Sequence, residues 1–398
     1  MEAIVIIGTG MAGYGLLREL RKLDQETPVT LISADDGAVY AKPNLSNALA
    51  AGKTPAQLQS QSAAQIGASL NARILTHTQV QGIDVATRQV LTDQGPVAYS
   101  RLVLALGADP LAHGVQGAAA QQILSVNDLT DYRAFRLALE GKQRVTILGG
   151  GLIGCEFAND LAAAGYQVTV VHRGAYPLER LMPPEIAQAL GAALAQAGVQ
   201  WHCGRTAVTA EPGDQGMVLT LDNGEVVTSD VVLSAIGLRP RTALAAAAGI
   251  ATGRGIAVDR WLQTDVEQVY AIGDCAEVAG MVLPFVQPLL QQVRALAATL
   301  SGQPTQVAYP AMPVAVKTPV LPVTVAPPAP DAVGAWRVEA EAACLVARFE
   351  NAGQLLGFAM GGQAPSLRMA LSKLLPPLLP PLVPGVPAGQ AGPTMANS

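Results

Sequence analysis

Four consecutive apolar residues, Ile4-Val5-Ile6-Ile7, stop at Gly8 and give way to a helical pattern around Leu16-Leu17-Arg18-Glu19-Leu20. A short continuous apolar run predicts a strand buried on both faces, and the change of period predicts a helix packed against it. The pattern restarts at Val145-Thr146-Ile147-Leu148, ahead of a helix expected over residues 155–164. Each unit continues with a second short strand, at residues 29–32 and 168–171, then a hairpin. The second hairpin turns at Asp222-Asn223-Gly224, where Asn-Gly favours the positive backbone angles of a type I′ turn. Each unit closes with another apolar strand, residues 102–106 before Gly107 and residues 231–236 before Gly237. Strands alternating with helices predict an α/β fold with parallel sheets, built twice.

Between strand and helix, both units carry Gly-x-Gly-x-x-Gly: Gly8, Gly10 and Gly13 in the first, Gly149, Gly151 and Gly154 in the second. The first glycine permits a tight turn, the second lets a pyrophosphate approach bare backbone, and the third allows close helix–strand packing. The helix start then offers unpaired N–H groups and the positive end of its dipole to an anion. Two such cradles imply two dinucleotides. Asp35 lies 22 residues beyond Gly13, near where a Rossmann unit sets an acid on ribose hydroxyls. Asp36-Gly37 reads equally as turn chemistry. A further short strand, Val269-Tyr270-Ala271-Ile272, ends in Gly273-Asp274, where a glycine closes on a ligand and an aspartate can accept from a ribityl hydroxyl.

Composition narrows the class. The 398 residues suffice for two or three domains, and a net charge of −5 without any basic block argues against a general nucleic-acid binder. Cys155, Cys203, Cys275 and Cys344 are scattered, with no Cys-x-x-Cys and no metal spacing. They are expected to be small buried residues in a reducing compartment, with no metal. A first strand at Ala3 leaves no room for a signal peptide, and no proline-free apolar run reaches about 18 residues. The expectation is a soluble cytoplasmic protein without membrane insertion.

With three motifs in this order, residues 3–320 resemble the two-dinucleotide-binding flavoproteins, the family of glutathione reductase and the ferredoxin reductases. The resemblance implies that the first cradle and Gly273-Asp274 hold FAD while the second cradle takes NADH or NADPH. It implies a discontinuous FAD domain, residues 1–111 and 245–320, with an NAD(P)H domain at 112–244 inserted. Residues 321–375 read as a small α+β C-terminal domain, with a hairpin around Asn351-Ala352-Gly353 and a helix near residues 366–375. Residues 376–398 are proline-rich and uncharged, and are expected to be a disordered tail.

Disulfide reductases of this family need cysteines in the loop after the first helix, and residues 40–48 contain none. Tyr40-Ala41-Lys42-Pro43-Asn44-Leu45-Ser46 resembles the Tyr-x-Arg/Lys-Pro-x-Leu-Ser stretch of ferredoxin reductases, with Asn47 where those carry a lysine. That departure, with Val316-Lys317-Thr318-Pro319, Asn159-Asp160 and the 128–132 stretch, resembles the rubredoxin-reducing members. Such members pass electrons singly from FAD to a one-iron carrier, for instance in a chain to an alkane hydroxylase. The resemblance then implies that Gly8, Thr9, Gly10, Met11, Ala12, Gly13, Ser33, Ala34, Asp35, Lys42, Val80, Gly107, Glu156, Gly273, Asp274, Val286 and Lys317 surround FAD. Gly149, Gly151, Leu152, Ile153, Gly154, His172, Arg173 and Gly237 would surround the nicotinamide coenzyme. Lys42 and Lys317 would favour an anionic reduced flavin, and Glu156 is expected to pair with Lys42 near the nicotinamide–flavin contact. His172-Arg173 stands where NADH sites usually hold an acid, and an arginine suits a 2′-phosphate. NADH is the expected coenzyme, with NADPH open. Two other readings stay open: a ferredoxin reductase serving an oxygenase or nitrite-reducing system, and a non-enzymatic flavoprotein like apoptosis-inducing factor.

Overall fold

A computed structural model of the chain describes residues 3–341 and 343–381. The first unit forms a five-stranded parallel sheet in the order Val269–Ala271, Arg101–Leu104, Ile4–Ile7, Val29–Ile32, Arg73–Leu75. Ile4–Ile7 is buried throughout, as its unbroken apolar run requires for a central strand covered on both faces. The second unit repeats this with Val199–Cys203, Gln167–His172, Arg144–Leu148, Val231–Ser234 and Leu124–Ser125, again all parallel. The strand at Val269–Ala271 completes the first sheet only after the whole second unit has been laid down. The helix after the first glycine loop, Met11–Leu23, packs through Gly15 against Val293 of the long helix Val286–Leu300.

Two crossovers join the units. Leu238–Pro240 pairs antiparallel with Ala108–Pro110, and a positive-φ glycine precedes each, Gly107 at 73° and Gly237 at 131°. Each glycine carbonyl takes an N–H from the opposite crossover, Arg241 to Gly107 at 3.0 Å and Leu111 to Gly237 at 3.0 Å.

The C-terminal region is an antiparallel sheet in the order Val314–Val316, Val323–Ala326, Gln354–Gly361, Cys344–Asn351, Ala335–Glu341, with the helix Pro365–Leu374 packed on it. Its first strand lies within the segment expected to complete the FAD domain, because Val314–Val316 finds its hydrogen-bonding partner in Val323–Ala326. The turn between Cys344–Asn351 and Gln354–Gly361 is Ala352-Gly353, with φ of 47° and 81°. Such paired left-handed angles mark a type I′ turn.

Two local expectations need correction. At the Asn223-Gly224 turn only Gly224 takes a positive φ, 85°, since the connection is longer and Asn223 Oδ1 instead accepts the Glu225 N–H at 3.1 Å. The start of the proline-rich segment is docked: Leu379 is 6% exposed and exchanges backbone hydrogen bonds of 2.9 and 3.0 Å with Tyr309. Arg260 Nη1 donates to the Pro380 carbonyl at 2.6 Å, so residues 376–381 lie across the first unit as a strap. The rest of the expected tail, residues 382–398, lies outside the described residues. Among the described residues no helix is long and apolar enough to cross a membrane.

Candidate functional site

The two cradles have one geometry. Gly8 (φ 116°) and Gly149 (φ 107°) make the turns, and a Cβ on either would overlap a carbonyl of the neighbouring strand end, Ala105 or Ala235. A Cβ on Gly13 would overlap the Gly8 carbonyl, and one on Gly154 the Gly149 carbonyl. At Gly10 and Gly151, which precede the helices Met11–Leu23 and Leu152–Ala163, an added Cβ would meet nothing within 4 Å. Those two positions face open space, as a backbone that receives a phosphate must.

Around the first cradle the polar groups are pinned. The Thr9 hydroxyl lies 2.5 Å from that of Ser33, which donates to Asp35 Oδ1 at 2.5 Å, so Ser33 accepts from Thr9. The Gly37 N–H takes the same Asp35 oxygen at 2.8 Å, leaving Oδ2 at the exposed surface after Val29–Ile32. Ala34 is exposed beside it. Met11 and Ala12 form the first turn of the helix, and Val80 opens the strand Val80–Asp84, partly buried against the same core. Gly273 (φ 78°) packs so closely on Ala12 that a Cβ there would lie 3.0 Å from the Ala12 Cβ. The structure thus brings the first and last motifs of this unit together. The Gly273 N–H is held by Gln292 Oε1 at 2.6 Å, and Gln292 Nε2 donates to the Tyr309 hydroxyl at 2.8 Å. Val286 begins the helix that carries Gln292.

Asp274 is half-buried, and burial raises its carboxyl above the usual range while the Lys42 charge opposes the rise. Among the described residues nothing donates a hydrogen bond to that carboxyl, so it is a half-buried acceptor left free for a donor. Lys42 is lowered by burial, with Asp274 opposing, and its ammonium donates to Asn127 Oδ1 at 2.7 Å.

Glu156 is 1% exposed and pairs with Lys317, not with Lys42. Lys317 Nζ lies 2.7 Å from Glu156 Oε2 and 2.9 Å from Ser46 Oγ, and also donates to the Pro43 carbonyl. Ser46 donates to Glu156 Oε2 at 2.6 Å, and the Lys317 N–H to Oε1 at 3.0 Å. The reason is the 3₁₀ turn Lys42–Asn47: positions three apart eclipse one another, so Pro43 and Ser46 present one face to Lys317 while Lys42 points elsewhere.

Sequence reasoning missed Asn127 and used Asn159-Asp160 only as part of a resemblance, without the role they take in locking this knot. Asn127, 7% exposed, receives Lys42 and donates to the Ala108 carbonyl at 2.8 Å. On the helix after the second glycine loop, Leu152–Ala163, Asn159 and Asp160 follow Glu156 at i+3 and i+4, hence on one face. Asp160 accepts the N–H groups of Leu49 and Ala50, both at 2.9 Å, and Asn159 Oδ1 accepts that of Val320 at 3.2 Å. The signal was three polar residues on one side of an otherwise apolar helix.

Around the second cradle, Leu152 and Ile153 form the first helical turn, and Ile153 (41%) and Ile236 (41%) are unusually exposed for their size. His172 ends the second strand with its ring turned under the glycine loop, and Arg173 after it is exposed. Cys155 is fully buried and its thiol is pushed up by burial, which makes it a core residue. Cys203 differs from the expectation in being only half-buried, because it sits at the strand terminus.

FAD is tested against this arrangement by its polar demands. Gly10 supplies bare backbone at a helix start, Asp35 Oδ2 a surface acceptor, and Asp274 a half-buried acceptor left free for a donor. These match a pyrophosphate, a ribose and a ribityl chain, so the residues fit.

Residues 2–304 match the family described as pyridine nucleotide-disulphide oxidoreductase. The chain belongs to that family. Residues 306–375 match the rubredoxin binding C-terminal domain. Rubredoxin-NAD(+) reductase of Alcanivorax borkumensis is 49% identical over 378 residues, covering 94% of this chain and 99% of that relative. Rubredoxin-NAD(+) reductase of Acinetobacter baylyi is 46% identical, covering 94% and 98%. Among solved structures, the ferredoxin reductase for the CYP199A2 system from Rhodopseudomonas palustris superimposes with a TM-score of 0.86 at 26% identity, covering 94% and 96%.

Proposed function

We propose that this chain is an FAD-dependent reductase that takes hydride from NADH and passes electrons one at a time to rubredoxin. The observation that carries the reading is the buried knot at Glu156. There the helix after the second glycine loop, the 42–46 turn beside the first cradle, and Lys317 of the rubredoxin-binding segment meet within hydrogen-bonding distance. Coenzyme, flavin and carrier domains converge at one place, as a relay requires.

We assign Gly8, Thr9, Gly10, Met11, Ala12, Gly13, Ser33, Ala34, Asp35, Val80, Gly107, Gly273, Asp274 and Val286 to FAD. Gly149, Gly151, Leu152, Ile153, Gly154 and Gly237 are assigned to NADH. Bound FAD supplies the conversion of a two-electron donor into single-electron steps. The helix starts at Gly10 and Gly151 bind the pyrophosphates, and Asp274 accepts from the ribityl hydroxyls. Lys42 and Lys317 bring two positive charges to the flavin side of the knot, where they favour an electron-rich ring. Glu156 holds Lys317 in place through the 2.7 Å ion pair and the 3.0 Å bond to its N–H. Hydride transfer needs no general base, so the chain's contribution is orientation and fixed charge. Four unpaired cysteines suit a cytoplasmic setting.

Anaerobic titration of the purified protein with NADH tests the reading. A yellow protein bleached by about one equivalent supports it. A colourless protein contradicts the flavin assignment, and a yellow one left unbleached contradicts the reductase.

A further inference from the structure

The second cradle lacks an acid at its strand end, and the structure shows both where that position has gone and what stands beside it. The His172 ring is committed. Its Nδ1 accepts the Gly150 N–H at 3.1 Å and its Nε2 lies 3.1 Å from the Tyr176 carbonyl. Accepting at Nδ1 makes Nε2 the protonated nitrogen that donates to Tyr176. A Cβ on Gly150 would come 2.9 Å from His172 Cγ and 3.1 Å from Trp201 Cζ3. His172 therefore buttresses the glycine loop from below and has no nitrogen left for a ribose.

Seven residues on, the chain returns. Glu179 Oε2 accepts the Ala175 N–H at 3.1 Å, and the carboxylate lies so close over Gly174 that a Cβ on Gly174 would overlap it. The Glu179 carboxylate thus fills the place a side chain of residue 174 would take, just past the end of Gln167–His172. The segment beneath is fixed, since the Gly204 N–H holds the Gly174 carbonyl at 2.8 Å and the Arg205 N–H the His172 carbonyl at 3.0 Å. Glu179 is half-buried, and Oε1 accepts nothing among the described residues.

We infer that Glu179 is the coenzyme-selecting acid, standing in from the following turn for the missing strand-end carboxylate and accepting the hydroxyls of the adenosine ribose. This rests on the assignment of the second cradle to the nicotinamide coenzyme. A ribose diol donates to a carboxylate, whereas a 2′-phosphate is repelled by it. Arg173, exposed directly after His172, draws a 2′-phosphate the other way. Selectivity for NADH is then the outcome of Glu179 outweighing Arg173.

The test is Glu179→Gln in the FAD-loaded protein, because an amide oxygen keeps the Ala175 bond while removing the charge. Titration calorimetry with NAD⁺ and NADP⁺ reads binding without turnover. The inference expects the NAD⁺ Kd to rise about tenfold while NADP⁺ binds as tightly as before or tighter, with flavin content unchanged. Adding Arg173→Ala should remove any NADP⁺ gain. Equal shifts for both nucleotides would show mere loop packing and overturn the inference, as would no shift for either. If the unmodified protein binds neither nucleotide, the coenzyme assignment itself falls.

Discussion

The two glycine cradles share a backbone and differ in everything that surrounds it. The first is clamped on one side: Thr9 and Ala12, flanking the exposed Gly10, are under 10% exposed, and Gly273 closes against Ala12 from the end of a distant strand. The second opens to solvent, with Ile153 and Ile236 both 41% exposed at its mouth. A cradle clamped by a second strand end suits a resident cofactor, and one flanked by exposed apolar side chains suits an exchanging substrate. The helices differ too. Met11–Leu23 buries mainly apolar residues, whereas Leu152–Ala163 buries Glu156, Asn159 and Asp160 and ties the other regions to itself. The glycine loop specifies pyrophosphate, and its neighbours specify the role.

The sharpest way to break this comparison is to place an acid where each phosphate belongs. Gly10 and Gly151 both face open space, so Gly10→Glu and Gly151→Glu should fold. Gly10→Glu should weaken FAD binding about a hundredfold or more and purify colourless. Gly151→Glu should stay yellow but lose NADH affinity by a similar factor. Loss of flavin from both variants would mean the cradles are not distinct.

Next in size is the knot. Glu156→Ala leaves Lys317 facing Ser46 without its buried countercharge and should cost about 3 kcal/mol in urea unfolding. Flavin reduction by NADH should slow as well, and an unchanged rate and midpoint would remove Glu156 from the account.

The strap gives a smaller effect, confined to the first cradle. Ending the chain after Leu375 removes two backbone hydrogen bonds at Tyr309 and the burial of Leu379. The loss should be about 2 kcal/mol, with faster FAD release and unchanged NAD⁺ binding. Flavin release and calorimetry check it.

Smallest is an alkaline signature. Burial pushes the Tyr309 hydroxyl up to about 12, opposed by its bond from Gln292. The folded state therefore keeps a proton that the unfolded chain loses near pH 10, and stability contributed below that point is lost as pH rises toward 12. Tyr309→Phe should flatten that limb of the urea midpoint against pH. An equally steep limb in the variant would place the titration elsewhere.

Much of this architecture is legible in the chain because its signals are local. Apolar runs ending in glycine fix the parallel strands, and the Ala352-Gly353 turn announces its own hairpin. The partnership of Glu156 is not legible, because Lys317 is 161 residues away and reaches it only through the facing of a 3₁₀ turn. Nor is the docking of Leu379, whose proline-rich setting suggests a free tail until Tyr309 offers it an edge. His172 is misleading for the same reason: its position in sequence is that of a ribose ligand, while its ring faces Trp201 and the glycine loop.

The central claim is that reduced flavin held in the first cradle is drained by a one-iron carrier bound at the C-terminal domain. Stopped-flow mixing of anaerobically NADH-reduced protein with oxidised rubredoxin, and separately with ferredoxin, tests it directly. Reoxidation by rubredoxin should be at least about a hundredfold faster than by ferredoxin, first order in carrier at low concentration. Equal rates, or faster transfer to ferredoxin, would contradict it.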